Sequence, residues 1–139
     1  MRKMLLASVL AVVAAATVTD LALAQKPGAH LLREPVCTLS GGTLSCSGGS
    51  AAGLGNQPVI VSASVDAFCQ TRPGNNQPAG HNQFASQPIS PKGGRIDFPS
   101  FTISPDCPPG LNPVVGNIVT YTILTEGGAL VFTFTVTAT

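Results

Sequence analysis

Between Pro58 and Cys69 the chain alternates strictly. Val59, Val61, Ala63, Val65, Ala67 and Cys69 fall on one side, and Ile60, Ser62, Ser64, Asp66 and Phe68 on the other. A period of two marks a strand with one buried face, so the first set is expected to point into a core. The same rhythm returns near the end of the chain around Gly127-Gly128. With those glycines as a turn, Thr125 opposes Leu130, Ile123 opposes Phe132, Tyr121 opposes Phe134 and Val119 opposes Val136. Thr120, Thr122, Thr133, Thr135 and Thr137 then share the other face. Aromatic and β-branched cross-strand pairs contribute roughly 0.2–1 kcal/mol each, so this hairpin is expected to be the heart of the core.

A third alternating segment, CTLSGGTLSC over Cys37–Cys46, reads nearly the same in both directions. A Gly41-Gly42 turn opposes Ser40 to Thr43, Leu39 to Leu44, Thr38 to Ser45 and Cys37 to Cys46, because paired glycines tolerate the positive φ of a two-residue hairpin. Counting outward from the turn puts the two cysteines at a non-hydrogen-bonded pair. There the backbones approach to roughly 4.5 Å, within the reach of a disulfide.

Arg95–Ser104 is strand-like, but Ile96 and Phe98 have one parity and Phe101 and Ile103 the other. Pro99-Ser100 is therefore expected to mark a bulge or a switch between sheets. Ser47–Asn56 reads as a turn or irregular crossing, and Ser104–Pro113 as a proline-rigid corner carrying Cys107. Gln70–Gln83 is a polar stretch without an apolar pair, long for a loop in a compact domain. About seven strands result. Two antiparallel sheets burying their apolar faces against each other give an all-β, immunoglobulin-like sandwich, with a small closed barrel as the alternative. Two features depart from the immunoglobulin pattern: there is no tryptophan, and the first cysteine pair closes within one hairpin.

The beginning of the chain follows other rules. Arg2 and Lys3 precede an apolar run of about 15 residues from Met4 to Val18, and Ala22-Leu23-Ala24 supplies small residues where a signal peptidase reads. This is the pattern of a secretory signal cut after Ala24. The run falls short of the roughly 20 residues that span a bilayer. Residues 1–24 are thus expected to leave as a signal peptide, 25–35 to form a flexible N-terminal segment, and 36–139 to form a single domain, secreted and without membrane insertion.

Charge narrows the classes further. After the cut, Lys26, Arg33, Arg72, Lys92 and Arg95 balance Glu34, Asp66, Asp97, Asp106 and Glu126. The charges are scattered, and no basic face suited to a nucleic-acid partner appears. An even number of cysteines in an exported chain reads as disulfides, and no C-x2-4-C pair suggests zinc. With Cys37 and Cys46 joined, Cys69 is left to pair with Cys107. In the loop-entropy description the short bridge contributes roughly 2.7 kcal/mol and the long one roughly 4.

No catalytic, metal or cofactor residues are predicted. No G-x-S-x-G, phosphate-binding glycine loop or calcium motif occurs. A weak hydrolase using His81 is an alternative that would need serine and aspartate brought to it. The feature with functional character is the polar stretch, where Arg72, Asn75, Asn76, Gln77, His81, Asn82 and Gln83 supply donors and acceptors. Loops at a sandwich end can bind glycans, peptides or cell-surface components through such groups. A second alternative is a surface-coat component associating through its threonine-rich strands.

Taken in order, Cys-x-Leu-x-Gly-Gly-Thr-Leu-x-Cys-Ser-Gly, Ala-Gly-Leu-Gly-Asn, and Cys69 opening Pro-Gly-Asn-Asn-Gln-Pro-x-Gly resemble a group of small exported bacterial proteins. The likeness covers roughly Cys37 to Cys107. It implies an exported, disulfide-stabilised β domain and brings no activity with it. In size and in its short disulfide hairpin the chain also resembles the apoprotein carriers of enediyne antibiotics. The rest departs from their pattern, and no ligand is carried over.

Overall fold

The computed structural model describes residues 26–71, 74–80 and 82–139, with the backbone alone at Leu23, Ala24 and Asn76. The apolar run of the expected signal lies outside the described residues. These contain twelve strands: β1 (Leu23–Ala24), β2 (His30–Arg33), β3 (Val36–Ser40), β4 (Thr43–Ser47), β5 (Ser50–Ala52), β6 (Val59–Gln70), β7 (Asn76–Pro78), β8 (Gln83–Ala85), β9 (Ile96–Asp97), β10 (Phe101–Ile103), β11 (Asn112–Thr125) and β12 (Leu130–Thr137). Every pairing between them is antiparallel.

One large sheet runs β1-β12-β11-β6-β7, with β8 also paired to β6. Facing it are two three-stranded sheets, β10-β4-β3 and β2-β5-β9. None closes into a barrel. The result is an all-β sandwich whose second layer is divided. Pro99-Ser100 makes that division: β9 pairs with β5 in one small sheet, and β10 pairs with β4 in the other. The parity switch follows, with Ile96 and Phe98 buried before the proline and Phe101 and Ile103 buried after it.

The core fills the space between the layers. Val59, Val61, Ala63 and Val65 on β6, Val119, Tyr121 and Ile123 on β11, and Phe132, Phe134 and Val136 on β12 are all buried. Tyr121 stacks on its cross-strand partner Phe134 with ring centroids 4.8 Å apart. Phe98 and Phe101 reach these rings from the opposite layer, at 5.5 and 5.9 Å from Tyr121. The phenolic oxygen of Tyr121 is the one buried side-chain polar atom without a hydrogen-bond partner among the described residues. Burial pushes its pKa up to about 12 from an ordinary 10.0.

The first hairpin has the expected register throughout, Ser40 with Thr43 to Cys37 with Cys46. The Leu39 N–H donates to the Thr139 carbonyl (2.9 Å), and the Thr139 N–H donates to the Cys37 carbonyl (3.1 Å). Both bonds point away from β4, so Cys37 and Cys46 form a non-hydrogen-bonded pair, and their Cα atoms lie 4.1 Å apart across the disulfide. Cys69 and Cys107 form the second bridge.

Four expectations need correction. The last hairpin does not oppose Thr125 to Leu130. The turn is three residues, Glu126–Gly128, closed by the Thr125 N–H to the Ala129 carbonyl (2.9 Å), and Gly128 sits at φ 93°. That left-handed glycine is the mark of a turn followed by a bulge. A second irregularity shifts the register so that Leu124 opposes Leu130, while the pairs from Ile123 with Phe132 outward stand. The N-terminal segment read as loose contains β2, paired with β5 inside the stretch read as irregular. Gly53, just after β5, passes so close to the Gly28 carbonyl that a side chain there would collide with it. The polar stretch Gln70–Gln83 is not one open loop, because β7 and the start of β8 lie within it along the edge of β6. The estimate of about seven strands missed the short ones, β1, β2, β5, β7 and β8.

Candidate functional site

Strand β6 has one exposed residue, Asp66. Its neighbours explain why. On one side β11 pairs Val115 with Ala67 and then Val119 with Val65, so three residues, Gly116, Asn117 and Ile118, form a bulge opposite Asp66, with Gly116 passing close beside it. On the other side the edge chain leaves β6 between β7 and β8. Among the described residues it bonds back at the ends of the excursion, where the Ala79 N–H donates to the Ala67 carbonyl (3.1 Å) and the Val65 N–H to the Asn82 carbonyl (3.2 Å). Gly80 bridges instead to Asp106 in the proline corner. Asp66 therefore stands between a β11 bulge and a detour of the edge chain, and bulges commonly re-aim side chains at such places.

The opening is a groove of about 300 Å³ lined by Ser64, Val65, Asp66, Asn82, Gln83, Ile118 and Thr120. Asp66 offers a carboxylate, Asn82 and Gln83 offer amides, and Ser64 and Thr120 offer hydroxyls. Ile118, about half exposed at 51%, supplies an apolar surface. The Asp66 carboxylate forms no hydrogen bond or ion pair with another described residue, so its acceptor capacity is available to a ligand.

The candidates from the polar stretch are divided by the fold. Asn82 lines the groove, as does Gln83. Asn75 lies in the turn before β7, where its N–H donates to Thr71 Oγ1 (3.2 Å) and its carbonyl accepts the Thr71 N–H (3.0 Å). Gln77 sits on β7 opposite Cys69. None of these borders the groove. Arg72, His81 and the side chain of Asn76 lie outside the described residues. Asp66, Ile118 and Thr120 were not singled out by sequence. The available signal was Val115-Gly116-Asn117, a glycine and a polar residue interrupting an otherwise β-rich run.

Two other hollows are less coherent. One of about 410 Å³ on the outer face of β3, β4 and β10 is mainly apolar, lined by Val36, Thr38, Phe101 and neighbouring serines. One of about 460 Å³ gathers Lys92, Arg95 and Asp97 near a Gly93-Gly94 turn and mixes both signs of charge. No group of three or more metal-ligating side chains occurs among the described residues. Within those residues no helix is long and apolar enough to cross a membrane. Two disulfides are of the kind that form in oxidising compartments. No family model, curated protein or solved structure matches the chain.

Proposed function

We propose that the protein is an exported, non-enzymatic binding module that holds a glycan in the Asp66 groove. The observation that carries this reading is the conjunction of a β11 bulge and a detour of the edge chain around Asp66. It sets one carboxylate, two amides and two hydroxyls around a half-exposed isoleucine. Neutral sugars present vicinal hydroxyls, which carboxylates and amides bond, and C–H faces, which pack on apolar surface. A peptide fits less well. Peptides commonly dock by adding a strand to an open edge, and β6 is paired on both sides above and below the groove. Turnover is also disfavoured, since one carboxylate lines the groove and glycoside hydrolysis ordinarily uses two. The immunoglobulin-like description and the likeness to small exported bacterial proteins belong to the same proposal.

The test is a glycan array probed with the mature chain and with Asp66→Ala/Asn82→Ala. A bound glycan should lose about tenfold or more in affinity with the double variant, while stability stays within about 0.5 kcal/mol, as for exposed substitutions generally. An array without signal, or binding indifferent to the substitutions, overturns the reading. The surface-coat alternative draws on the outer face of the large sheet. There Thr122 lies between Ser62 and Thr133, and Thr120 lies between Ser64 and Thr135. That lattice of hydroxyls would show itself as open-ended assembly in sedimentation.

A further inference from the structure

The edge of the large sheet is covered by residues that maturation would remove. Leu23 pairs with Thr133 and Ala24 with Phe132, and the expected cut lies immediately after Ala24. Beyond the cut, the Lys26 N–H donates to the Val131 carbonyl (3.3 Å). At the far end, Thr139 bonds to β3. Residues 131 and 139 both direct main-chain groups to the edge. The alternation of an antiparallel strand gives the same direction to 133, 135 and 137.

Strand β12 reads LVFTFTVT. It contains no charge, no proline and no glycine. Natural sheets blunt exposed edges with such residues, and an edge lacking them is a template for another strand. The sequence is also complementary to itself. When two copies run antiparallel with their odd positions opposed about Phe134, Thr133 meets Thr135, and the pairing stops short of Val131, whose carbonyl Lys26 keeps. Phe132, Phe134 and Val136 then meet one another.

We propose that cleavage after Ala24 opens the β12 edge, and that two mature copies pair there, β12 to β12, about a two-fold axis near Thr133 and Thr135. The large sheets join into one continuous sheet across the dimer. The uncleaved chain carries its own cap and stays monomeric, so assembly follows export. A second copy is the occupant because a two-fold contact needs a self-complementary surface, and this strand supplies one without opposed charges. The pairing is independent of the Asp66 groove, which lies on the far side of β11 at the boundary with β8.

The experiment compares the mature chain, 25–139, with a chain beginning at Leu23, by sedimentation velocity and hydrogen exchange. The mature chain is expected to be a dimer with protected Thr133 and Thr135 amides, and the longer chain a monomer. Thr135→Pro removes an edge-facing N–H without breaking a β11 bond, a position where proline is tolerated. It should weaken the dimer about tenfold or more. Thr135→Lys, which places like charges near the axis, should do the same and keeps the test intact if the proline variant folds poorly. A monomeric mature chain at all concentrations overturns the proposal. So do equal dimers with and without Leu23-Ala24, a dimer indifferent to both substitutions, open-ended assembly, or an exported protein whose N-terminus retains those two residues.

Discussion

Two hydrophobic clusters share strand β6 and are built on opposite principles. The larger one joins the two layers and is filled by rings and branched chains, with Phe98, Tyr121 and Phe134 in mutual contact and Phe132 against Phe134. The smaller one lies beyond the Gly116–Ile118 bulge. Its buried members are Ala67, Cys69 and Ala79, with Cys107 and Leu111 packed against them. At about 25 cal/mol per Å² of apolar surface removed from water, alanines contribute little. Where side chains are too small to hold a sheet end, a covalent bond takes over. The difference teaches that the inward parity of β6 continues unbroken through Cys69 while the source of stability changes at Asp66.

The strongest way to break this contrast is to remove each disulfide in turn. Cys69→Ala/Cys107→Ala releases a loop of 38 positions and should cost about 4 kcal/mol in denaturant unfolding. Hydrogen exchange should rise in β7 and at the start of β11. Cys37→Ala/Cys46→Ala releases 9 positions within a hairpin that the larger core already holds, and should cost about 2.7 kcal/mol. The reverse order of effects would mean that the smaller cluster is held by its packing after all.

Alkaline pH probes the larger cluster alone. Tyr121 holds its proton in the folded protein up to about pH 12, whereas the unfolded chain releases it near 10. Between these values the folded state binds more protons, so stability is complete below about pH 10 and falls as pH rises towards 12, by roughly 3 kcal/mol at the upper limit. The chain has one tyrosine and no tryptophan, so tyrosinate absorbance reports this group alone. A transition near pH 10 in the folded protein would show that the ring is not sealed. The smallest expected effect is Tyr121→Phe. It removes a buried hydroxyl with no partner, should raise stability by about 1 kcal/mol at neutral pH, and should abolish the alkaline loss.

Much of this architecture is legible in the sequence because it depends on local periodicity. The alternation of Val59–Cys69 names the buried face of β6, and the mirror symmetry of Cys37–Cys46 gives its register and its bridge. The parity break at Pro99-Ser100 foretells the divided second layer. Short strands such as β5 and β7 are not legible, since three residues carry no period. Their pairing depends on partners far along the chain. The groove is hidden for the same reason. Asp66 reads as an ordinary outward residue, and its prominence comes from a bulge on β11 and a detour before β8. Asn82 was legible as a polar loop residue, but its company was not.

The bonds from Thr139 to Cys37 and Leu39 also set a timetable. They join segments separated by nearly the whole domain, and contacts of such sequence separation form late because loop closure precedes any gain from them. The Cys37–Cys46 hairpin is complete in itself and can form before the rest of the chain has folded. Its outer edge must then wait for Thr139. In an oxidising compartment the first disulfide can therefore be made before the sandwich exists, and closing the seam between β3 and Thr139 becomes the step that turns a set of hairpins into one body.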